Sequence, residues 1–362
     1  MRVLFLNQYF PPDPAPTGAL LKEIADALSA AGHQVVFASS GQAYRAGEKR
    51  GSRLRRELQA LWAIFRSALA AGPVDAVVSA TSPPLLAVVA AVIAKLRRAR
   101  HYHWLFDMYP ELATALGEIP EGTMSCLFSA AMRWAYRRAD CVVALDEDMA
   151  ARLERYGVTP TIIQPWVLDP LIKARAALPH EPQMPHDSPR LWLYSGNLGR
   201  AHEWQTLLDA QHLLEAARAP WRLIFQGGGP SWAAAREYAG RLNLERCDWR
   251  PYVPEDQLPA SLLAADVLVV TQKPETCGLL WPSNLALVAS LPRRILWVGP
   301  AGHAIAHDLA RLPQAGIFAP GDAAGIANWL GDPTHDCLPR DPVAIRAAAL
   351  QTWVQIIAEV EL

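Results

Sequence analysis

Short runs of β-branched and other apolar residues alternate with longer amphipathic or alanine-rich segments along most of the chain. This alternation is typical of a parallel β-sheet with helices on both faces. In the first half of the chain the runs predict strands at 3–6, 35–38, 74–79 and 142–145. In the second half they predict strands at 191–194, 223–226, 267–271 and 295–298. The sequence therefore predicts an α/β fold with two Rossmann-like, doubly wound domains.

Length and the distribution of proline indicate the domain boundaries. With 362 residues, the chain exceeds the size at which a single hydrophobic core usually keeps growing. Prolines concentrate from 165 to 189, between the two series of strands, and such stretches favour linkers. We therefore predict an N-terminal domain over 1–168, a linker over 169–189, a C-terminal domain over 190–342 facing the first across a central cleft, and a C-terminal helix over 343–362 that can pack back on the N-terminal domain.

Cysteine usage and hydropathy indicate a cytoplasmic protein. The five cysteines are scattered and lack the spacing of a disulfide framework or a zinc site. The longest apolar run, 85–94, has about half the length that a membrane-spanning helix needs. We identify no complete set of metal ligands, and we expect neither a metal nor a spanning segment.

Positive charge concentrates in the N-terminal part of the chain. The net charge of the whole chain is −1, but residues 1–140 carry +5 and the rest carries −6. The basic residues Arg45, Lys49, Arg50, Arg53, Arg55 and Arg56 stand beside an apolar stripe of Leu54, Leu58, Leu61, Trp62 and Phe65. This pattern fits a helix on an anionic membrane surface or an ordinary solvated helix face. It does not indicate nucleic acid, because no stacking aromatic residues alternate with the charges.

Two glycine-rich loops follow predicted strands of the C-terminal half, where doubly wound sheets bind ligands. The first, YSGNLGRAHEW, contains Gly196, Gly199 and Arg200. An arginine fork can bond two oxygens of a diphosphate, and glycines let the backbone come close to it. The second, IFQGGGPSW, includes Gly228 but has Trp232 where a dinucleotide fingerprint needs its third glycine. A surface arginine is the alternative interpretation of the first loop, and an ordinary turn is the alternative for the loop QKPETCGLLWPSN described next.

Three further loops contain candidate site residues. In QKPETCGLLWPSN, Glu275 can bond sugar hydroxyls, and a helix beginning near Pro282 can hold phosphate. In NQYFPPDPAPTG, the helix start at Gly18 can approach a phosphate or a sugar, although plain helix capping explains it equally. In HYHWLFDMYPE, Asp107 can orient or deprotonate an acceptor hydroxyl. His101 and His103 share one face of a strand there, and we interpret them as buried structural residues.

At these residues the sequence resembles glycosyltransferase family 4, especially the bacterial branch that builds O-antigen, capsule and colanic-acid-type polysaccharides. The segments that carry the resemblance occur in the family's order: NQYFPPDPAPTG, SPPLLA, FDMYPE, YSGNLGRAH, GGGP, ADVLVVTQKPETCGLLWPSN and ILWVGPAG. The resemblance implies a GT-B fold, a retaining reaction and no required metal. It implies no cofactor beyond a nucleotide-sugar co-substrate, with a UDP-sugar as the family's usual donor.

The resemblance also implies roles for single residues. Gly18 matches a glycine near the donor diphosphate, Arg200 the arginine that binds the diphosphate, and Glu275 the first of the family's two glutamates. We therefore predict Asp107, Arg200 and Glu275 as catalytic residues. The predicted donor-binding residues are Gly18, Gly196, Gly199, Arg200, Gly228, Glu275, Gly278, Ser283 and Asn284.

The chain departs from the family's pattern at three positions. Thr206 stands where a lysine is usual, Ser283 replaces the second glutamate, and Asn284 replaces a lysine that this branch often has. We consider Arg293 and Arg294 as replacements for the lost positive charge.

The leading hypothesis is a retaining hexosyl- or N-acetylhexosaminyltransferase. It would act on a polyprenyl-diphosphate-linked sugar or oligosaccharide acceptor at the inner face of the cytoplasmic membrane, in the synthesis of a surface polysaccharide. The alternative is a catalytically impaired relative that binds a nucleotide sugar or supports a partner subunit. An NAD-dependent dehydrogenase is disfavoured because no GxGxxG sequence follows the first strand.

Overall fold

The computed structural model describes residues 1–13, 15–41, 53–178, 189–332 and 337–358. These residues form two compact units. Unit 1 comprises Met1–Pro165, Gly278–Trp281 and Arg346–Leu362, and unit 2 comprises Trp166–Cys277 and Pro282–Ile345.

Unit 1 contains a parallel six-stranded sheet with the strand order β2-β1-β3-β4-β5-β6. The strands are β1 (Arg2–Leu6), β2 (Gln34–Ala38), β3 (Ala76–Ser79), β4 (Arg100–Trp104), β5 (Cys141–Ala144) and β6 (Thr161–Ile162). The helices are α1 (Pro16–Ala30), α2 (Arg53–Ala70), α3 (Leu86–Arg97), α4 (Glu111–Ala115), α5 (Thr123–Tyr136) and α6 (Glu147–Glu154). Residues 3–6 of β1 are completely buried, as expected for a parallel strand covered on both faces.

Unit 2 repeats this arrangement with the parallel strand order β12-β11-β10-β7-β8-β9. The strands are β7 (Arg190–Asn197), β8 (Trp221–Gly228), β9 (Cys247–Arg250), β10 (Val267–Thr271), β11 (Arg294–Val298) and β12 (Ala315–Phe318). The helices are α7 (Asp169–Ala176), α8 (Gln205–Ala216), α9 (Trp232–Arg241), α10 (Leu258–Leu263), α11 (Leu285–Ala289), α12 (Ala304–Leu309) and α13 (Ala323–Gly331). The predicted α/β architecture of two doubly wound domains is confirmed.

The predicted linker is partly helical. Helix α7 occupies its first eight residues, and residues 179–188 lie outside the described ranges. The helix is compatible with the prolines because Pro170 stands in its first turn, where no intrahelical N–H is needed.

The last helix, α14 (Pro342–Ala358), enters unit 1 from Arg346 onward. The ring of Trp353 is fully buried and lies 5.2 Å from the ring of Trp104 in β4, measured between centroids. Arg346 Nε donates to Glu23 Oε2 of α1 over 2.7 Å. The described part of the chain thus begins and ends in unit 1.

The apolar stripe expected along α2 is divided between two faces. Leu61 is buried and Phe65 packs against the core of unit 1. Leu54, Leu58 and Trp62 remain exposed, at 69%, 53% and 61%. Arg45, Lys49 and Arg50 lie outside the described residues, as does the side chain of Arg53. In the described ranges, no helix combines the length and the apolar character that crossing a bilayer requires.

Candidate functional site

The carboxyl ends of β7 and β8 approach each other so closely that only glycine fits. A Cβ on Gly227 would lie 2.1 Å from the carbonyl oxygen of Gly196. Gly229 has a φ of +127°, and a Cβ there would lie 2.5 Å from Asn197 Oδ1. Any larger residue would force the two loops apart. These loops therefore form a wall of closely packed backbone at the edge where doubly wound sheets bind ligands, with Gly227 buried and Gly229 exposed.

The loop after β7 is held in place from both sides. Leu198 N donates to Gly228 O over 2.6 Å, and Ser231 Oγ donates to Gly199 O over 3.1 Å. Gly199 N donates to His202 Nδ1 over 3.1 Å. Burial lowers the pKa of His202 to about 4, so its imidazole is neutral at pH 7 and can accept this bond. The N–H of Gly199, a predicted donor-binding residue, is therefore bonded to His202 in this structure.

Arg200 and Glu275 lie on neighbouring loops of unit 2. Both side chains are exposed. Lys273 N donates to Ala201 O over 2.8 Å, and this bond joins the loop after β7 to the loop after β10. Glu275 stands in a short 3₁₀ turn two residues beyond Lys273. The structure thus brings the two loops together, with an arginine on one and a carboxylate on the other.

Ser283 and Asn284 precede α11, which begins at Leu285 rather than near Pro282 and has only five residues. Ser283 is exposed. Asn284 Nδ2 donates to Ser195 O over 3.2 Å and so connects this segment to the end of β7. A helix of five residues aligns few peptide dipoles, so the partial positive charge at its amino end is small. The dipole of α11 therefore gives little support to the expectation that its amino end holds a phosphate.

The threonine that replaces the family's lysine has a structural role. Thr206 is buried, and its Oγ1 donates to Glu203 Oε1 over 3.1 Å. The same Oγ1 accepts from Gly321 N over 2.7 Å. Glu203 also accepts from Thr206 N, so its carboxylate caps the first turn of α8.

Arg293 and Arg294 do not replace the missing lysine. Arg293 donates to the carbonyl oxygen of Leu263, at the end of α10. Arg294 Nη2 donates to Trp329 O over 2.6 Å, and its guanidinium lies 3.8 Å from the centroid of that indole ring. Arg294 is also the first residue of β11, at the strand end opposite to the ligand-binding edge. The hypothesis that either arginine restores the charge is wrong because both bond to helix carboxyl ends.

In unit 1, Gly18 lies against the loop that follows β1. A Cβ on Gly18 would lie 2.4 Å from the carbonyl oxygen of Tyr9. Asn7 Nδ2 donates to the same oxygen over 2.8 Å. Asn7 Oδ1 is buried and accepts no hydrogen bond within the described ranges. The glycine is therefore needed for close packing of the first turn of α1, and Asn7 offers an unused acceptor beside it.

Asp107 is positioned by two segments of unit 1. Thr81 Oγ1 accepts from the backbone N–H groups of Phe106 and Asp107, over 3.0 and 3.3 Å. Asp107 also forms an antiparallel bridge with Leu280. Burial raises the pKa of its carboxyl to about 6, which suits a group that gains and loses a proton near neutral pH. We did not predict Thr81 from the sequence, because a threonine after a strand carries no distinctive signal.

Gly278 belongs to the segment that packs with Asp107 in unit 1. Its φ is +64°, and a Cβ would lie 2.9 Å from the backbone of Asp148 in α6. Packing against α6 is therefore a sufficient reason for glycine at this position.

His101 and His103 are buried and share a partner in β3. Ser79 Oγ lies 2.9 Å from His101 Nε2 and 2.8 Å from His103 Nδ1. Burial lowers the pKa of His101 to about 3 and lowers that of His103 as well. Both rings are therefore neutral and join adjacent strands.

An Asp-x-Asp sequence in unit 1, which we did not identify from the sequence, could in principle hold a metal. It consists of Asp146 and Asp148 at the start of α6. Asp146 is buried and accepts from Met149 N over 2.8 Å as the N-cap of that helix. This structural bond accounts for the first carboxylate of the pair.

A groove of about 580 Å³ between α8 and α13 lies away from these residues. Its lining includes Arg190 and Trp221, the first residues of β7 and β8. It therefore lies at the amino ends of the strands, and we do not assign the ligand site to it.

Comparisons with known proteins agree with this fold. The family described as Glycosyltransferase Family 4 matches residues 17–167. Sucrose-phosphate synthase from Thermosynechococcus elongatus superposes with a TM-score of 0.65 at 16% identity, over 99% of this chain and 94% of that one. The lipopolysaccharide outer core galactosyltransferase WaaB superposes with a TM-score of 0.62 at 13% identity, over 99% of both chains. Anabaena HepE in complex with UDP superposes with a TM-score of 0.58 at 15% identity, over 99% of this chain and 98% of that one.

These comparisons define the fold as the two-domain α/β GT-B fold of glycosyltransferases. The sequence identities are low, so the superpositions describe the fold alone. The family match lies within unit 1 and the first residues of unit 2. A search of curated protein sequences finds no significant match. The family match shows that residues 17–167 are similar to glycosyltransferase family 4.

Proposed function

We propose that the protein is a retaining glycosyltransferase that moves a hexosyl or N-acetylhexosaminyl group from a nucleotide sugar to a lipid-linked or saccharide acceptor. The process would be the synthesis of a bacterial surface polysaccharide. The observation that carries this proposal is the wall of backbone at Gly196, Gly227 and Gly229, with Arg200 on the same loop system.

This wall suits the diphosphate of a nucleotide sugar. Phosphate oxygens need close hydrogen-bond donors, and a backbone without side chains lets them approach. Arg200 adds a permanent charge with a bidentate geometry. The departing nucleoside diphosphate gains negative charge as the glycosidic bond breaks, so a fixed cation there favours transfer. Glu275 would bond hydroxyls of the donor sugar. UDP is the proposed nucleotide, and its presence in the Anabaena HepE complex supports the choice.

Asp107 is the proposed acceptor-side group. Its backbone is fixed by Thr81 and by the segment containing Leu280. A carboxyl whose pKa is about 6 is largely ionised at pH 7.5 and can orient or deprotonate an acceptor hydroxyl.

The exposed face of α2 suggests how a lipid-linked acceptor would be reached. Leu54, Leu58 and Trp62 are exposed next to Arg55 and Arg56. An apolar stripe flanked by cations is the pattern of an interfacial helix, and tryptophan favours the headgroup region.

Helix α5 of unit 1 also exposes large apolar side chains. Both α2 and α5 contact α3. Helix α5 exposes Met124 and Leu127, at 77% and 61%. Arg133 lies in its last turn, and Arg137 follows directly after it. We propose that α2 and α5 dock peripherally on the anionic inner face of the cytoplasmic membrane, where a polyprenyl-diphosphate-linked acceptor would be presented.

A catalytically impaired relative is the second candidate. The observation that favours it is Thr206, which is bonded to Glu203 and Gly321 where glycosyltransferase family 4 usually has a lysine. Ser283, which stands in place of the family's second glutamate, also favours the impaired relative. Such a protein would bind the nucleotide sugar without transferring it.

A panel of nucleotide sugars tests both candidates. Binding is measured as the shift in thermal midpoint with UDP-, GDP-, ADP- and dTDP-sugars, because a ligand that binds only the folded state raises the midpoint. Release of the nucleoside diphosphate is then measured with and without lipid-linked acceptors. Binding with release supports the transferase, and binding without release with any acceptor supports the impaired relative. A protein that binds no nucleotide sugar would contradict both.

A further inference from the structure

The proposed donor site has fewer cations than a diphosphate requires. A diphosphate carries more than one negative charge, and Arg200 neutralises part of it. Thr206 supplies no charge, and Arg293 and Arg294 bond to helix carboxyl ends. A second cation close to the loop of Arg200 would supply the missing charge.

The backbone of Lys273 is fixed next to that loop. Its N–H donates to the carbonyl oxygen of Ala201, the residue after Arg200, over 2.8 Å. Its own carbonyl oxygen accepts from Thr276 N and Thr276 Oγ1, over 3.1 and 2.9 Å. Lys273 also follows β10 by two residues, at the carboxyl edge of the sheet of unit 2. Its Cα therefore has a determined position in the proposed donor site.

The side chain of Lys273 has no structural task that explains it. It is half-buried, and among the described residues its ammonium has neither an ion-pair partner nor a hydrogen-bond partner. An ammonium without a counter-charge beside this loop is available to an anionic ligand. Its charge contributes to the lowered pKa of His202, after burial, which indicates that the ammonium lies near that imidazole. His202 bonds to Gly199, so the charge lies beside the glycine loop.

We propose that Lys273 is the second cation of the donor site and donates hydrogen bonds to the diphosphate of the bound nucleotide sugar. This inference deepens the proposed function and rests on it. Lys273 thereby takes the place of the lysine that the chain lacks at Thr206, from the loop after β10 instead of from α8. The ammonium is a point charge with three donors, which suits phosphate oxygens without demanding one fixed geometry.

The experiment compares three variants by titration calorimetry with two probes, inorganic pyrophosphate and UDP. Lys273→Met removes the charge and keeps the length, and Lys273→Arg keeps the charge. Lys173→Met is the matched control, since Lys173 also lies in unit 2 but is exposed and paired with Asp169 over 2.6 Å. Thermal midpoints without ligand show whether each variant folds.

We expect Lys273→Met to weaken the binding of both probes about tenfold or more, as for the loss of a charged hydrogen bond. The dependence of the UDP dissociation constant on salt should become shallower, because one attractive charge is lost. Lys273→Arg should retain most of the affinity, and Lys173→Met should change nothing.

Unchanged binding of pyrophosphate and UDP by folded Lys273→Met would overturn the assignment. An unchanged salt dependence, or an equal loss in Lys173→Met, would overturn it as well. If pyrophosphate binding depends on Lys273 but no nucleotide sugar is turned over, the assignment stands and the proposed transferase fails. If the unmodified protein binds neither probe, both fail.

Discussion

At the scale of single residues, the proposed donor site depends on where side chains are absent as much as on where they are present. Gly196, Gly227 and Gly229 let two loops touch, and a methyl group at either of the last two positions would collide with the opposite loop. Arg200 is exposed on the first of these loops. The proposed role of Arg200 is to interact with the diphosphate, and substitution of an exposed side chain usually changes stability little.

Arg200→Ala should lower the rate of sugar transfer about 100-fold or more, because a preorganised charge at the leaving group is lost. The thermal midpoint should stay unchanged, since the side chain is exposed. Steady-state kinetics and a thermal melt measure the two effects. Arg236→Ala, at an exposed arginine of α9, is the matched control. Unchanged turnover in Arg200→Ala would remove this residue from the site.

Asp107→Asn should change stability in a pH-dependent way. Burial raises the pKa of the carboxyl from 3.8 to about 6, so the folded protein binds this proton more tightly than the unfolded chain does. The stabilising contribution of protonated Asp107 is fully present below the unfolded pKa and is lost as pH rises through the folded pKa. Above about pH 6, the asparagine variant should therefore melt at a higher temperature than the unmodified protein. Near about pH 4, the two melting temperatures should differ little.

The same substitution should lower turnover about 100-fold or more, because asparagine cannot accept the acceptor's proton. Melting curves and initial rates over this pH range provide the test. A midpoint difference that does not vary with pH would contradict the raised pKa.

At the scale of elements, helix α2 presents apolar side chains on two faces, one toward the core of unit 1 and one toward solvent. Leu61 and Phe65 face the core of unit 1, whereas Leu54, Leu58 and Trp62 face solvent. An exposed apolar stripe of this length costs free energy in water unless something covers it. An anionic bilayer fits both the stripe and the neighbouring arginines.

The protein should therefore sediment with anionic vesicles at low salt and should be released at high salt, since each cation near the surface contributes about 1 kcal/mol and is screened. Changing Trp62 and Leu58 to Gln, or Arg55 and Arg56 to Gln, should weaken this binding. Leu213→Gln, at an exposed leucine of α8 in unit 2, is the control. A protein that ignores anionic vesicles at low salt would contradict the docking proposal.

At the scale of the whole molecule, each unit has its own sheet and core, and the chain returns to unit 1 through α14. The proposed charge balance of the donor lies within unit 2, where Arg200 and Lys273 are carried by adjoining loops. If Arg200 and Lys273 neutralise the diphosphate as proposed, we expect its departure to need no divalent ion.

Sugar transfer should consequently proceed at an unchanged rate in the presence of EDTA. The assay compares initial rates of nucleotide release after dialysis against the chelator, with and without added magnesium or manganese. A strict requirement for either ion would show that side chains alone do not balance the charge. In that case Asp148, two residues after the capping residue Asp146, would be the first candidate for a metal ligand.

The amino-acid sequence by itself determined the succession of elements in this protein. The eight strands predicted at the outset all form. They could be predicted because an apolar run and a helical periodicity are both visible in the order of neighbouring residues. Strand β4 lies outside these eight and was indicated only by the alternation of His101 and His103. The strands β6, β9 and β12 were missed. They have two to four residues and are not fully buried, so their pattern is too short and too polar to detect. The glycine-rich loops were also recognised, because glycine clusters after strands are visible in the sequence.

Only the tertiary structure decided which partner each polar side chain has. It assigned Thr206 to Glu203 and Gly321, directed Arg293 and Arg294 to helix ends, and placed Lys273 beside Ala201. Gly321 lies more than 100 residues from Thr206 along the chain. Local periodicity reports on burial within one element, whereas such partnerships depend on which strands become neighbours in the sheet. For that physical reason the elements could be predicted from the sequence, and the distribution of charge within the donor site could not.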